Sequence, residues 1–440
     1  MNSFGRTFDY NHEVLVAAWR DEIPSLLEST VSSGKSVLCY GKGRSYGDSC
    51  LNGGGTLVDM SFLDRVIRFD AESGLITCEP GVTIGQLIEV ASPHGWFVPV
   101  TPGTKHVTLG GAVANDVHGK NHHVRGSFGN HVKKLTLLTS DGSCSEIGPG
   151  DKLFEATVGG LGLTGIITSV TVQLLHASSW FDTENIKFSG VDEFLEISKE
   201  SERDWEYTVA WVDTCAVGES LGRGIFMRGN HAVDPSLPLK SVKPLASVPF
   251  HFPNFALNEW TVKGFNTLYY VKQFSDRVVS TVHYEPYLYP LDVLGGWNKI
   301  YGKRGFYQYQ FVIPEHEVDA LKDILKIIAR SGSSSFLSVL KHFGDVKPAG
   351  MLSFARKGVM LALDFANEGE KTKKLFQRLD QIVVSVGGRL YPAKDALMRK
   401  EDFEVFYPRL EEFRKYKDPA MSSSFWRRVG ENQLNDQMNS

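Results

Sequence analysis

The residues best equipped for chemistry gather in one stretch. Thr101–His123 reads TPGTKHVTLGGAVANDVHGKNHH and places Gly103, Gly110 and Gly111 ahead of Asn115, Asp116, His118, Gly119 and Lys120. Glycine loses more conformational freedom on folding than other residues, so a cluster implies that the backbone turns sharply or lies against a ligand. Backbone N–H groups aligned in such a loop form a nest for an anion, and a following helix N-terminus adds roughly half a positive charge. The segment therefore has the makings of a cradle for a diphosphate and a flat ring. A turn-rich loop with a short helix over Leu109–Asn115, packed for structural reasons alone, accounts for the same residues equally well.

Two further glycine loops strengthen the ligand reading. Gly41–Gly47 (GKGRSYG) follows the apolar run Ser36–Tyr40, and Gly159–Gly165 (GGLGLTG) lies downstream. A strand, a glycine loop and then polar residues is the order a phosphate site needs. Gly160, Gly162 and Gly165 also spell the G-x-G-x-x-G dinucleotide fingerprint, which requires a helix next and an acidic residue about 20 positions on. Here Ile166–Val172 follows, β-branched and alternating, hence a strand. A Rossmann nicotinamide site is rejected on that ground.

Other candidates are weaker taken singly. His118, His122 and His123 match no zinc-ligand spacing. His118 suits a role beside a bound ring, bonding to it or polarising a substrate hydroxyl, although a loop histidine bonded to backbone is as good an account. Lys394 sits in YPAKD after an expected strand, where most lysines are simply solvated. Gln308 and Gln310 share one face of FYQYQF, with Tyr307, Tyr309 and Phe311 on the other, so they either line a polyhydroxylated ligand or face water.

The elements that must position these residues divide the chain by texture. At 440 residues it is long enough for two or three domains, and 42% hydrophobic and 22% charged residues describe a globular protein. A net charge of −4 gives no general attraction to nucleic acid. Five cysteines, none spaced C-x-x-C, argue for a reducing compartment and against structural zinc. No secretory leader and no membrane-spanning run is visible, which places the chain in the cytoplasm. Short strands at Ser36–Tyr40, Thr56–Asp59, Val66–Asp70, Leu75–Glu79 and Trp96–Val100 alternate with helices at Pro24–Ser32 and Gly81–Ala91, the latter capped by Thr83. Lys133–Thr139 and Gly142–Glu146 flank a hairpin turn, Leu153–Val158 is a helix and Ile166–Leu174 a strand.

Past Trp180 the strands lengthen and gain aromatics, as in Glu206–Trp211 and Tyr307–Ile313. They alternate with amphipathic helices at Glu315–Arg330 and Lys371–Val386, which predicts an antiparallel sheet with helices on one face. Asp234–Pro253 holds five prolines and reads as a long loop, either a mobile surface segment or a lid or membrane-facing flap. Glu401–Lys417 reads as one surface helix. The fold class is α+β.

With these motifs in view the chain resembles a known family. GKGRSYGDSCLNGGG, TPGTKHVTLGGAVANDVHGKNHHVRGSFGNHV and GGLGLTGII together are similar to the FAD-binding domain of the vanillyl-alcohol-oxidase (PCMH) type. More narrowly, DVHGKNHH, SFGNHV, YPLD, QYQFVIP and RLYPAKD resemble the decaprenylphosphoryl-β-D-ribose 2-oxidase family. The resemblance implies a two-part FAD-binding domain, residues 1–178 plus 388–440, with an antiparallel-sheet substrate domain, 179–387, inserted between. It implies FAD contacts from Tyr40, Gly41, Lys42, Gly43, Arg44, Ser45, Tyr46, Gly47, Asp48 and Ser49. It adds Gly103, Thr108, Leu109, Gly110, Gly111, Asn115, Asp116, Val117, His118, Ile166 and Tyr391. Tyr46, His118, Lys120, Gln310 and Lys394 would line a sugar site, with Lys120 the better phosphate partner and Lys394 either base or electrostatic stabiliser.

The implied reaction is oxidation of the C2 hydroxyl of a polyprenyl-phosphoryl pentose to the 2-keto sugar, the first half of an epimerisation to arabinose. A short-chain reductase would take the product. An oxidase of a soluble sugar, sugar acid or other alcohol on the same fold is the alternative. The wider superfamily often tethers its flavin through a histidine in the first loop; Gly43-Arg44-Ser45 has none, so non-covalent FAD is expected. Where the family has Asn-x-Cys, this chain has Met360-Leu361-Ala362, which puts the identity of sugar and lipid in question. A lipid-linked substrate gives 234–253, with Lys240 and Lys243, a role at a membrane surface.

Overall fold

The computed structural model describes residues 1–233 and 246–431. Three sheets carry the site. The first is parallel, with Thr56–Asp59 between Glu13–Val16 and Val37–Tyr40. Its strands are short, and all of Thr56–Asp59 is buried, as expected of a central strand covered on both faces. The second is antiparallel with five strands, in the order Val66–Asp70, Leu75–Cys78, Ile166–Gln173, Val132–Leu138, Cys144–Ile147. Val132–Leu138 and Cys144–Ile147 form the anticipated hairpin. The strand Ile166–Gln173 directly after Gly165 leaves no helix for a Rossmann motif.

The third sheet has eight antiparallel strands. They run Arg277–His283, Trp180–Phe188, Gly224–His231, Tyr207–Val212, Ser338–Phe343, Gly358–Ala366, Phe306–Ile313 and Arg389–Leu390. Helices Val191–Ser201, Val318–Ser331 and Glu370–Ser385 lay their apolar stripes on one face. There Phe194, Leu321, Ile324, Phe376 and Leu379 share a core with Tyr307, Tyr309, Phe311, Leu361, Leu363 and Phe365. Side chains alternate across a strand, so Gln308, Gln310, Ala362 and Asp364 necessarily point to the opposite face. That face meets the glycine loops.

The chain end returns to the first sheet. Val37 N donates to Ala420 O at 2.9 Å, and Arg428 on helix Ser424–Val429 forms an ion pair with buried Asp48 at 2.7 Å. Among the described residues no helix is long and apolar enough to cross a membrane.

Three expectations are corrected. Trp96–Val100 is strand only over Trp96–Phe97, because Pro99 and Pro102 withhold backbone donors. Glu401–Lys417 is two helices, Lys400–Phe406 and Leu410–Arg414, broken at Tyr407-Pro408. A 14-residue helix, Glu259–Lys272, forms where no element was anticipated. Of the proline-rich segment, 234–245 lies outside the described residues, and Ala246–Ser247 pairs with Leu294–Gly295.

Candidate active site

The three glycine loops converge on a single cavity of about 700 Å³ that also reaches the open face of the eight-stranded sheet. The first loop leaves Val37–Tyr40 and bends at Gly43, whose φ of +58° lies in the left-handed region that favours glycine. The second loop runs into helix Leu109–Ala114, where the Thr108 hydroxyl caps the Gly111 N–H at 3.2 Å. At Gly110 a side chain would crowd Pro80, its Cβ 2.9 Å from the proline's, so the bare backbone lets the helix pack that closely. The third loop contributes Leu161, Gly162 and Gly165.

Two non-glycine residues near these loops adopt positive φ, Asp116 at 40° and Leu161 at 58°. Such backbone persists only where its surroundings over-determine it. Asp116 shows how. Fully buried, it accepts from Ser127 Oγ at 2.7 Å, from the Gly129 N–H at 2.8 Å and from the Ser353 hydroxyl. It thus pins the loop Asn115–His118 to residue 353 of the sheet-bearing half. Tyr391 adds a second pin, donating from Oη to Asn115 O at 2.8 Å while stacking on Phe354 at 4.7 Å.

The sheet-facing wall is charged and buried. Lys120, Lys341 and Lys394 line it from three separate parts of the chain. Burial pushes Lys120 and Lys341 down to about 7, with the charge of Lys341 adding to the effect on Lys120 and that of Lys394 to the effect on Lys341. Lys120 Nζ donates to Tyr287 O and sits 4.5 Å over that ring, and Lys341 Nζ donates to Gly119 O at 3.2 Å. Lys394 is held below the usual lysine range by burial, with Asp364 pulling the other way. Its ammonium lies 4.0 Å from the centroid of the Tyr46 ring. Burial raises Asp364, whose carboxylate accepts from Gln308 Nε2 at 2.5 Å. Gln310 Nε2 meets His118 Nε2 at 2.7 Å. Burial first, and then Lys341, His122 and Lys394, hold His118 well below its ordinary value. A neutral imidazole follows, its Nε2 accepting from the Gln310 amide.

Most of the anticipated residues meet at this cavity. Tyr40, Gly41, Lys42, Gly43, Arg44, Ser45, Tyr46 and Ser49 line it, as do Gly103, Thr108, Gly110, Gly111, Asn115, Val117, His118, Lys120, Gln310, Tyr391 and Lys394. The other five stand behind the wall. Gly47 packs under the Asp395 carbonyl, Asp48 pairs with Arg428, Leu109 is wholly buried in the core, Asp116 forms the hub described above, and Ile166 is buried while Ile167 takes the lining position.

Sequence reasoning passed over Lys341, Asp364, Cys39 and Cys50, all of which line the cavity. The signal for the first two was present: a charge inside the apolar strands SVLKHF and LALDFA is rarely buried without a task. Burial pushes the thiols of Cys39 and Cys50 up to about 12, so they stand as small neutral groups. Met360 and Ala362 form an apolar strip beside Val312, Gln310 and Lys341 in the sheet register.

The glycine-loop side fits a dinucleotide. Arg44 Nε and Ser49 Oγ there are buried polar atoms with no partner in the protein, the state expected of groups that complete their bonds to a ligand. Known proteins agree. Residues 13–148 match a family model described as an FAD binding domain. The chain is 38% identical over 406 residues to the decaprenylphosphoryl-beta-D-ribose oxidase of Mycolicibacterium smegmatis, a match covering 89% of this chain and 87% of that one. It is 30% identical over 159 residues to the L-gulonolactone oxidase of Bos taurus, 35% of each chain. It is 29% identical over 120 residues to the alditol oxidase of a Streptomyces species, 27% of this chain and 29% of that one.

Proposed function

The chain belongs to the decaprenylphosphoryl-beta-D-ribose oxidase family of FAD-binding oxidoreductases, and from that premise we propose that it oxidises the C2 hydroxyl of a polyprenyl-phosphoryl pentose to the 2-keto sugar. The observation that carries the substrate class is the convergence of three lysines, Lys341 buried and Lys120 and Lys394 half-buried, on a cavity wall where Asp364 is the carboxyl charge that acts on Lys394. Uncompensated buried cations are costly, and a phosphoryl anion offsets that cost.

FAD, when bound, supplies the two-electron acceptor for the C2 hydrogen. The chain's own groups do the rest. The first and second glycine loops, with Arg44, Ser49 and Thr108, hold the dinucleotide. Lys120 and Lys341 hold the phosphoryl group. Gln310 and neutral His118 accept and donate hydrogen bonds to the pentose hydroxyls. Lys394 Nζ takes the proton of the C2 hydroxyl: its depressed basicity leaves a useful share of free amine near neutral pH, and the carboxylate of Asp364 stabilises the ammonium that forms. The apolar packing of Tyr46 with Trp297, Tyr301 and Phe306 keeps water from this end of the cavity.

In this reading residues 1–178 with 388–440 hold the cofactor and 179–387 the substrate. The keto product passes to a short-chain reductase that completes epimerisation to arabinose, and 234–253 contacts the membrane from which the substrate comes. Residues 234–245 of that segment lie outside the described residues.

The test is anaerobic bleaching of the flavin absorption. Polyprenyl-phosphoryl ribose should bleach the oxidised protein, and free pentoses should not. A protein bleached by a free sugar or sugar acid and not by the lipid-linked ribose would establish the soluble-substrate reading.

A further inference from the structure

The cavity extends beyond the lysines to the edge strand of the eight-stranded sheet and to a helix packed against the ends of two of its inner strands. It is lined there by Phe265 and Tyr269 of helix Glu259–Lys272 and by Ser280 and Val282 of strand Arg277–His283. Both elements carry bare apolar surface. Among the described residues twenty large apolar side chains are exposed, and nine of them fall between 250 and 279. Trp260 is 80% exposed, Leu268 70%, Phe274 95% and Val279 72%. A concentration of this kind marks an interaction surface.

The helix is apolar on two sides. Its inner side is anchored: Val262 is buried, Phe265 meets Phe336 at 5.5 Å, and buried Asn266 donates to Asp213 at 3.1 Å and to Ser335 O at 3.2 Å. Its outer side presents Trp260, Gly264, Leu268 and Val271 at helical spacing. Exposed Lys263 and Lys272 flank that stripe, and Glu259 is the helix's one acidic residue. The strand Arg277–His283 is the sheet's outermost, pairing with Trp180–Phe188 on its inner side, and it exposes Val278 and Val279. An edge strand with exposed valines invites unwanted pairing unless something covers it.

We infer that this face docks on a lipid bilayer and sets the cavity mouth against it. The inference rests on the lipid-linked substrate proposed above. Aromatic and aliphatic side chains between lysines are what lies flat in a membrane interface, the apolar groups entering the acyl boundary and the ammonium groups staying among anionic headgroups. Location decides between a membrane and a protein partner. The same helix and strand that carry the bare face also line the cavity, so a folded partner or a second copy seated there would cap the entrance a polyprenyl tail must use. A bilayer covers the face and leaves the tail in lipid while the sugar phosphate reaches Lys120 and Lys341.

Flotation of the FAD-loaded full chain with vesicles of phosphatidylcholine and phosphatidylglycerol tests this. The wild type should float. The triple variant Trp260→Ser, Leu268→Ser, Val271→Ser should lose at least about tenfold in bound fraction, since three large apolar side chains no longer enter lipid. Its flavin content and its oxidation of a short-tailed, water-soluble phosphoryl pentose should be unchanged, because none of the three residues lines the cavity. Failure of the wild type to float, or equal flotation of both, would overturn the docking. So would a wild-type dimer in sedimentation velocity that the variant abolishes without changing vesicle binding. A wild type that floats, loses flotation in the variant, and is bleached by no phosphoryl pentose of either tail length would retain the docking and remove the substrate assignment.

Discussion

Lys394 and Tyr46 meet face to charge: the ammonium nitrogen lies 4.0 Å from the ring centroid, with Tyr46 buried and Lys394 half-buried. A phenol ring attracts a cation without accepting its proton, so Tyr46 fixes the lysine in place while leaving it able to titrate. Replacing Lys394 with Ala should therefore lower kcat by about 10²–10⁴-fold, the span of a positioned proton acceptor. FAD content, read from the visible spectrum, should stay as in the wild type. Full turnover in that variant would take Lys394 out of the chemistry.

Asp364 controls when Lys394 is free. Its carboxylate favours the ammonium form and so raises the lysine against the lowering effect of burial. Asp364→Asn removes that support and leaves burial unopposed, so the lysine sheds its proton at lower pH. If turnover needs the free amine, activity rises as pH rises through the lysine's value, and in the variant this rise moves to lower pH. A pH profile of kcat/KM in wild type and variant measures the shift. A rise that stays in place, or moves to higher pH, would contradict the pairing.

The buried lysines also predict how stability responds to pH. Lys120 and Lys341 sit at about 7 in the folded chain against an ordinary 10.5. Between those values the unfolded chain holds protons that the folded one does not, so stability of the ligand-free protein should rise as pH rises from about 7 toward 10.5. Lys341→Met should flatten that rise, which thermal unfolding across the pH range would detect. Inorganic pyrophosphate should raise the unfolding temperature most below pH 7, where both ammonium groups are charged, and the increment should shrink above it.

The glycine loops could be read from sequence because their chemistry is local. Gly43 and Gly110 mark positions where a side chain would clash, and although Pro80 lies thirty positions from Gly110, the glycines themselves are visible in the sequence. The face carrying Gln308 and Gln310 was readable from strand parity alone. Lys341 and Asp364 each stand out as a charge inside an apolar strand, but their meeting at one cavity was not readable; only the pairing of Gly358–Ala366 with Ser338–Phe343 on one side and Phe306–Ile313 on the other brings them together. The Asp116 hub escaped for the same reason, since Ser353 lies more than 200 positions away in the chain. Helix Glu259–Lys272 escaped because its apolar residues lie on both sides and Gly264 interrupts it, which blurs the period that announces a helix.

Asp116→Ala should expose how far that hub holds the two halves together. Two donors, the Ser353 hydroxyl and the Gly129 N–H, would lose their acceptor inside the protein, while the Ser127 hydroxyl keeps Asn130 Oδ1 at 3.1 Å. Burial without a partner costs about 1–3 kcal/mol per group, so a loss of several kcal/mol in unfolding free energy is expected. Asp116→Asn keeps the side-chain volume and one acceptor oxygen and should lose less. The positive φ of 40° at this position suits asparagine better than alanine, which adds to the difference between the two variants. Denaturant unfolding of both, with flavin content followed in parallel, separates the effects. Equal stability of Ala and Asn variants would mean that the hydrogen bonds to Asp116 do not hold this loop.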